Sequence, residues 1–190
     1  LIKPVVKEIK GRMGSHIYTT DEDVTLERAV VELLLANKLT VTCAESCTGG
    51  LLSARLINVP GVSDVYKSGY VTYSNKAKRK LLGVKKSTLG KYGAVSRQTA
   101  EEMAKGLAFQ AKSDVAVSIT GVAGPDGGTE EKPVGLVYIA CCVKGEVTTK
   151  EYHFSGNRQT IRAAAVSAAL VLMRSCMLEY FSEITFGSKK

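Results

Sequence analysis

The chain has 190 residues, of which 45% are apolar and 23% are charged, which fits one globular domain with its own core and excludes a fibrous or low-complexity chain. Its formal net charge of +8 permits an acidic ligand. Few aromatic residues accompany the basic runs, so nucleic acid is not the favoured partner.

Residues 1–20 differ from the rest of the chain. They are basic and contain Gly11-Arg12-Met13-Gly14, a Gly-x-x-Gly pattern of the kind that KH modules use to clamp a nucleic-acid backbone. Too little chain precedes the pattern to build such a module. We therefore expect residues 1–20 to be the remnant of a preceding KH-like domain or a linker, and residues 21–190 to form one domain. Because the chain begins with Leu1, we also expect a fragment of a longer protein.

Helices and strands alternate after residue 20. Thr25 is the predicted N-cap of a first helix, whose apolar residues recur at helical spacing. The next predicted elements are a strand over Leu39–Ala44, a helix over Thr48–Ile57, a strand over Val65–Tyr73 and a short helix from Asn75.

The second half of the chain continues the alternation. Its predicted elements are a helix capped by Ser96, a buried strand over Val115–Ile119, a strand pair over Val134–Val143 and Val147–Phe154, and a helix over Asn157–Tyr180. The pattern predicts an α/β fold, a three-layer α/β/α sandwich with a mixed, mostly parallel sheet.

The cysteines and the apolar runs bear on location. The five cysteines are an odd number and show no Cys-x-x-Cys spacing, so we expect reduced, buried thiols and no metal site. The longest alanine-rich apolar run, Ala163–Leu172, is too short to span a membrane, and no signal peptide is visible. These features predict a cytoplasmic protein without a membrane partner.

The first candidate for chemistry is the run from Thr42 to Gly50. It places Ser46, Cys47 and Thr48 between a strand and a helix, at the sheet edge where α/β proteins bind ligands. Unpaired amides in the first helical turn are expected to hold an oxyanion while a hydroxyl attacks a carbonyl. The alternative is that Ser46 or Thr48 is only an N-cap.

The second candidate is the run from Gly69 to Lys78. A positive helix N-terminus is expected to lower the pKa of Lys76 or Lys78, which suits a base. Alternatively, Ser74 or Asn75 caps the helix and both lysines point to solvent.

The third candidate, Thr120 to Thr129, is rich in glycine, which permits an anion-binding nest of backbone amides. It matches neither the P-loop nor the dinucleotide fingerprint, and it is alternatively a long Pro-Asp-Gly turn. Arg158 and Arg162 are one turn apart and suit a phosphate. A Ser-His-Asp triad would need His153, and we favour a Ser–Lys arrangement.

Several long motifs resemble the CinA C-terminal family, the nicotinamide-nucleotide amidohydrolase group. They are Ala44-Glu45-Ser46-Cys47-Thr48-Gly49-Gly50, Thr72-Tyr73-Ser74-Asn75-Lys76-Ala77-Lys78, Gly93-Ala94-Val95-Ser96, Gly121-Val122-Ala123-Gly124-Pro125-Asp126-Gly127-Gly128 and Glu131-Lys132-Pro133-Val134-Gly135. The resemblance implies hydrolysis of the carboxamide of nicotinamide mononucleotide to nicotinic acid mononucleotide and ammonia. It also implies a homodimer, no cofactor, and a preceding domain with nucleotide pyrophosphatase-type activity.

The resemblance also assigns roles to residues. Ser46 would be the nucleophile, Lys78 its base, with Lys76 the other candidate, and Tyr73 an aid to proton transfer. The substrate contacts would come from Cys47, Thr48, Gly49, Thr120, Gly121, Gly124, Asp126, Gly127, Gly128, Arg158 and Arg162. Two alternatives stay open: Cys47 as the nucleophile, and a non-catalytic module that binds a nucleotide or nucleic acid.

Overall fold

A computed structural model describes residues 2–14 and 17–185 of the chain, with side chains described to residue 183. The helices are α1 (Ile2–Met13), α2 (Leu26–Ala36), α3 (Leu51–Ile57), α4 (Asn75–Leu82), α5 (Lys86–Tyr92), α6 (Arg97–Ala111) and α7 (Arg158–Thr185). The strands are β1 (Val41–Glu45), β2 (Tyr66–Val71), β3 (Val115–Gly121), β4 (Leu136–Val143) and β5 (Glu146–His153).

One five-stranded sheet in the order β2-β1-β3-β4-β5 organises the domain. β1 pairs in parallel with both β2 and β3, whereas β4 is antiparallel to β3 and to β5. Every strand except β4 therefore points the same way, which confirms the predicted mixed, mostly parallel sheet. In this register Glu45 lies between Val71 and Ile119, so the carboxyl ends of β1, β2 and β3 meet at one edge.

Helices cover both faces of the sheet, which confirms the predicted three layers. α2, α3 and α7 pack together on one face and share its core with alternate residues of β1, β3 and β4. α4, α5 and α6 bury a second core on the other face. All residues of β1 are buried because the strand has neighbours on both sides and helices above and below.

The element boundaries differ from the predictions where glycine sets the backbone. α3 begins at Leu51 rather than Thr48, because Gly49 and Gly50 have φ angles of 62° and 99°, outside the helical region. Gly11 of the Gly-x-x-Gly pattern lies within α1, a helix without buried residues. The origin of residues 1–20 stays a prediction.

The prediction for apolar runs needs a correction at α7. Residues Arg158–Glu183 are long and apolar enough to cross a membrane by length and composition, because valine, leucine and methionine extend the alanine-rich run. Half of the most apolar 18-residue stretch of this helix is buried inside the protein, as in a core helix. All five cysteines are free and buried, as predicted.

Candidate active site

A cavity of about 300 Å³ opens at the sheet edge where β1 and β3 end. The residues that line it come from all three candidate runs, from the loop before α6 and from the start of α7: Ser46, Cys47, Tyr73, Lys78, Ala94, Val95, Thr120, Gly121, Val122, Ala123, Gly124, Asp126, Gly127 and Arg158. The fold therefore brings together segments that are far apart in the sequence.

A buried serine–lysine pair lies in this cavity. Lys78 is 1% exposed, and its Nζ is 3.0 Å from Ser46 Oγ and donates to the Thr72 carbonyl oxygen at 2.8 Å. Burial lowers the pKa of Lys78 to about 8, while the nearby Cys47 acts in the opposite direction. A neutral Lys78 that donates to Thr72 can aim its lone pair at the Ser46 hydroxyl, which is the arrangement of a nucleophile with its base.

The start of α4 explains why Lys78 and not Lys76 reaches Ser46. Ser74 caps the helix by accepting a hydrogen bond from the Ala77 amide. Lys78 then falls on the inward face of the first turn, whereas Lys76 is exposed and does not line the cavity. The sequence had left these two lysines as alternatives.

Glu45 has a structural task that sequence reasoning missed. Its buried carboxylate accepts hydrogen bonds from the amides of Gly50, Leu52 and Ser53 at 2.9–3.0 Å and from the Ser53 hydroxyl at 2.7 Å. The amides at the start of α3 are therefore occupied, and the expectation that they would hold an oxyanion is wrong for them. An acidic residue just before a helix start is the signal that could have indicated this cap.

Other amides beside Ser46 remain available for an oxyanion. Within residues 17–185, no backbone carbonyl accepts from the amides of Cys47 and Thr48, and the Cys47 amide interacts with its own thiol. Arg162 donates to the carbonyl oxygens of Cys47 and Thr48 at 3.0 Å and 2.7 Å. Because N–H and C=O point in opposite directions across a trans peptide bond, this grip turns the Thr48 amide away from Arg162.

Arg162, Thr48 and Gly49 therefore support the loop rather than line the cavity. A Cβ atom at Gly49 would lie 3.3 Å from the Arg162 guanidinium, so glycine lets the arginine approach the backbone. Thr48 is fully buried, and its Oγ1 has no hydrogen-bond partner among the described residues. These placements give Arg162 a positioning task instead of the predicted phosphate contact.

Arg158 connects the segments on the other side of the cavity through its hydrogen bonds. It donates to the Gly124 carbonyl oxygen at 2.7 Å and to the Tyr73 hydroxyl at 3.1 Å. It thereby links α7, the glycine-rich loop and the end of β2, and its partly exposed guanidinium still borders the cavity.

Backbone hydrogen bonds connect the glycine-rich loop to the start of β4. Val122 donates to the Leu136 carbonyl oxygen, and Gly135 donates back to the Val122 carbonyl oxygen. Thr120 lines the cavity and donates to Ala94, whereas Gly128 lies outside the lining and packs close to Val134.

Two alternative catalytic groups fit the geometry less well. His153 lies on β5, where it pairs with Glu151 in solvent, and it does not line the cavity. Cys47 does line the cavity, but burial raises the pKa of its thiol to about 11, which keeps it protonated at neutral pH. Across the described residues, no cluster of three or more His, Cys, Asp or Glu side chains is suited to a metal ion.

Comparison with known proteins agrees with this fold and these motifs. The sequence pattern of the CinA C-terminal domain matches residues 23–177. A protein of Clostridium novyi named as competence-damage inducible is 56% identical over 92% of this chain, and one of Clostridium acetobutylicum is 52% identical over the same share. The chain spans 42% of the length of each of these two curated relatives.

Solved structures agree as well. The competence/damage inducible protein CihA from Agrobacterium tumefaciens is 44% identical with a TM-score of 0.78, and the match covers 79% of this chain and 92% of that chain. A CinA superfamily protein from Klebsiella pneumoniae is 36% identical with a TM-score of 0.79, and the match covers 81% and 96% of the two chains. This chain therefore belongs to the CinA C-terminal domain family.

Proposed function

We propose that the domain is an amidohydrolase that converts nicotinamide mononucleotide to nicotinic acid mononucleotide and ammonia. The observation that carries the proposal is the buried contact of 3.0 Å between Lys78 Nζ and Ser46 Oγ. A lysine whose pKa burial lowers to about 8 is partly neutral near physiological pH and can take the serine proton.

The chemistry follows from this pair. In this proposal Ser46 Oγ attacks the carboxamide carbon as Lys78 takes its proton, and the amides of Cys47 and Thr48 stabilise the oxyanion. Protonated Lys78 gives its proton to the departing nitrogen, so that ammonia leaves and an acyl ester remains on Ser46. Water then attacks the ester as Lys78 accepts its proton, and Lys78 passes that proton to Ser46 Oγ as the ester bond breaks. The carboxylic acid product loses its own proton to solvent, and free Ser46 and neutral Lys78 are restored.

The cavity also offers groups that suit the rest of a nucleotide. Arg158 supplies a guanidinium at its rim, where a phosphate monoester is a natural partner. Tyr73 is 62% exposed and hydrogen-bonded to Arg158, so its hydroxyl can contact substrate while Arg158 orients it. Thr120, Gly121, Gly124, Asp126 and Gly127 form the facing wall.

The test is ammonia release from nicotinamide mononucleotide by the purified chain and by Ser46→Ala and Lys78→Ala. We expect release by the parent and a loss of about 100-fold or more in each variant. Ser87→Ala, an exposed hydroxyl on α5, is the matched control and should keep parental activity. A folded parent that binds the nucleotide but releases no ammonia would refute the reaction and favour the non-catalytic binding module.

A thiol nucleophile is tested separately. Cys47→Ser should retain activity, because the protonated Cys47 thiol is not the attacking group in this proposal. An inactive Cys47→Ser beside an active Ser46→Ala would reverse the assignment.

The longer relatives bear on the rest of the protein. They extend well beyond the length of this chain, which supports a further domain in full-length members. We propose that such a domain precedes this one and carries the pyrophosphatase-type activity, and that the protein is a cytoplasmic homodimer. Light scattering on the full-length protein measures its oligomeric state.

A further inference from the structure

A second depression lies on the outer side of α4, away from the catalytic cavity. It has a volume of about 630 Å³ and shares no lining residue with that cavity. Its lining contains the five cations that we name the basic cluster, together with Asn75 and Val84: Lys76, Arg79, Lys80, Lys85 and Lys86.

Among the described residues, the side chains of the basic cluster form no salt bridge. Elsewhere in the described structure, Arg12, Arg28, Arg55 and Lys144 each have a carboxylate partner. No salt bridge to a described carboxylate is recorded for any member of the basic cluster. Because like charges so close together repel each other, an anion bound between them would relieve that repulsion.

The lining indicates which anions fit. It contains no aromatic side chain on which a base could stack and no carboxylate. Ammonium and guanidinium groups around a concave surface match phosphate oxygens, and several cations favour a ligand with several negative charges.

The surroundings favour a compact ligand over a long polymer. On the α6 side, Glu102 accepts hydrogen bonds from the Lys85 amide at 2.8 Å and from the Thr88 hydroxyl at 2.7 Å. This carboxylate borders the basic cluster, where it would repel a phosphate backbone that continued past the depression. A duplex needs an extended row of cations, and the basic cluster lies within residues 76–86.

We propose that the basic cluster is a binding site for a compact polyphosphate, an anion with two or more linked phosphates. The phosphates can belong to a nucleoside di- or triphosphate or to free inorganic polyphosphate. The site is separate from the serine–lysine pair and does not depend on the proposed amidase reaction.

The first test is a titration of the ¹⁵N-labelled chain with inorganic tripolyphosphate, followed by NMR. We expect saturable shifts centred on the amides of residues 75, 76, 79, 80 and 84–86, which line the depression and not the cavity. Shifts confined to the catalytic cavity, or no saturable shift at all, would overturn the proposal. A titration with ATP compares the two sources: equal affinity means that the phosphates alone are recognised, whereas tighter ATP binding at the same amides identifies a nucleoside polyphosphate.

The second test uses two variants that remove the same amount of charge. Arg79→Gln/Lys80→Gln/Lys86→Gln alters the basic cluster, and Lys3→Gln/Lys7→Gln/Lys10→Gln alters exposed lysines of α1. Calorimetry should show tripolyphosphate binding weakened about tenfold or more in the first and less than twofold in the second. Equal weakening in both would mean attraction to net charge alone and would overturn the site.

A short random-sequence DNA duplex completes the comparison. The proposal expects it to bind more weakly than tripolyphosphate at equal ionic strength. Tighter duplex binding, with shifts that spread beyond residues 75–86, would replace the compact ligand with nucleic acid.

Discussion

At the scale of single residues, Lys78 should set how activity depends on pH. Only its neutral form accepts the Ser46 proton, so kcat/KM should rise about tenfold per pH unit below pH 8 and level off above it. Lys78→Arg should be inactive at every pH, since a guanidinium keeps its proton. The exposed Lys67→Arg should keep the parental profile. A profile that is flat from pH 6 to 9 would contradict Lys78 as the base.

The same residue should influence stability. The folded-state pKa of Lys78 lies near 8, below its ordinary value of 10.5, so between these values the unfolded chain binds more protons. The free energy of unfolding should therefore rise with pH in that window. Urea unfolding of the parent and of Lys78→Met should show that the parent gains stability from pH 8 to 10.5 relative to the variant. A constant difference between the two proteins would contradict the lowered pKa.

Glu45 should be needed for stability as well as for the shape of the site. In Glu45→Gln, an amide nitrogen replaces one acceptor oxygen and faces backbone donors, which leaves buried N–H groups unpaired. We expect a loss of about 2–3 kcal/mol in the free energy of unfolding, measured by urea unfolding. The exposed Glu22→Gln is the control and should change stability by less than about 0.5 kcal/mol. An unchanged free energy of unfolding in Glu45→Gln would mean that the start of α3 does not depend on the Glu45 carboxylate.

At the scale of elements, the packing of α4 on α6 positions Lys78, the proposed base. A Cβ atom at Gly106 of α6 would overlap the backbone carbonyl of Leu82 at the end of α4. Gly106→Ala should therefore push α4 outward, cost about 1–3 kcal/mol and lower the activity. Gly90→Ala in α5 meets open space and should be neutral or stabilising by up to about 1 kcal/mol. Thermal unfolding and ammonia release on both variants test this, and a Gly106→Ala protein as stable and active as the parent would contradict it.

The sequence predicted the elements well where local rules decide them. Thr25, Ser74 or Asn75, and Ser96 are cap residues in the pattern, and the structure has N-caps at Thr25, Ser74 and Ser96. Local rules were less reliable at Gly49 and Gly50, where a positive φ delays the helix. They did not predict α5, since Gly90 lies inside that helix and weakens its pattern.

The contacts within the site were harder to predict than its segments. The three loops were recognisable because glycine, hydroxyl and lysine residues follow strands. The choice of Lys78 over Lys76 depends on which side of α4 faces the sheet, and the Arg158 contacts join residues that are distant in sequence. Such long-range pairs follow from packing, which no local pattern records.

At the scale of the whole molecule, the buried cysteines should make the native protein inert to thiol reagents. All five are free, and the most exposed of them, Cys47 and Cys176, show 6% and 7% of their surface. Labelling with a disulfide reagent should be slow in buffer and should reach five thiols per chain in denaturant. Fewer than five in denaturant would reveal a disulfide, and rapid labelling of the native chain would reveal an open route to one of the thiols.

The order in which the chain supplies the site affects when a new molecule can work. On the ribosome, Ser46 and Lys78 emerge long before Arg158, which connects Tyr73 to the glycine-rich loop. The Ser46 amide also needs the Ile119 carbonyl oxygen of β3, and one face of the sheet stays uncovered until α7 arrives. While residues 79–157 are being added, a nascent chain therefore carries Ser46 and Lys78 without a complete cavity, and the cavity closes only when α7 docks.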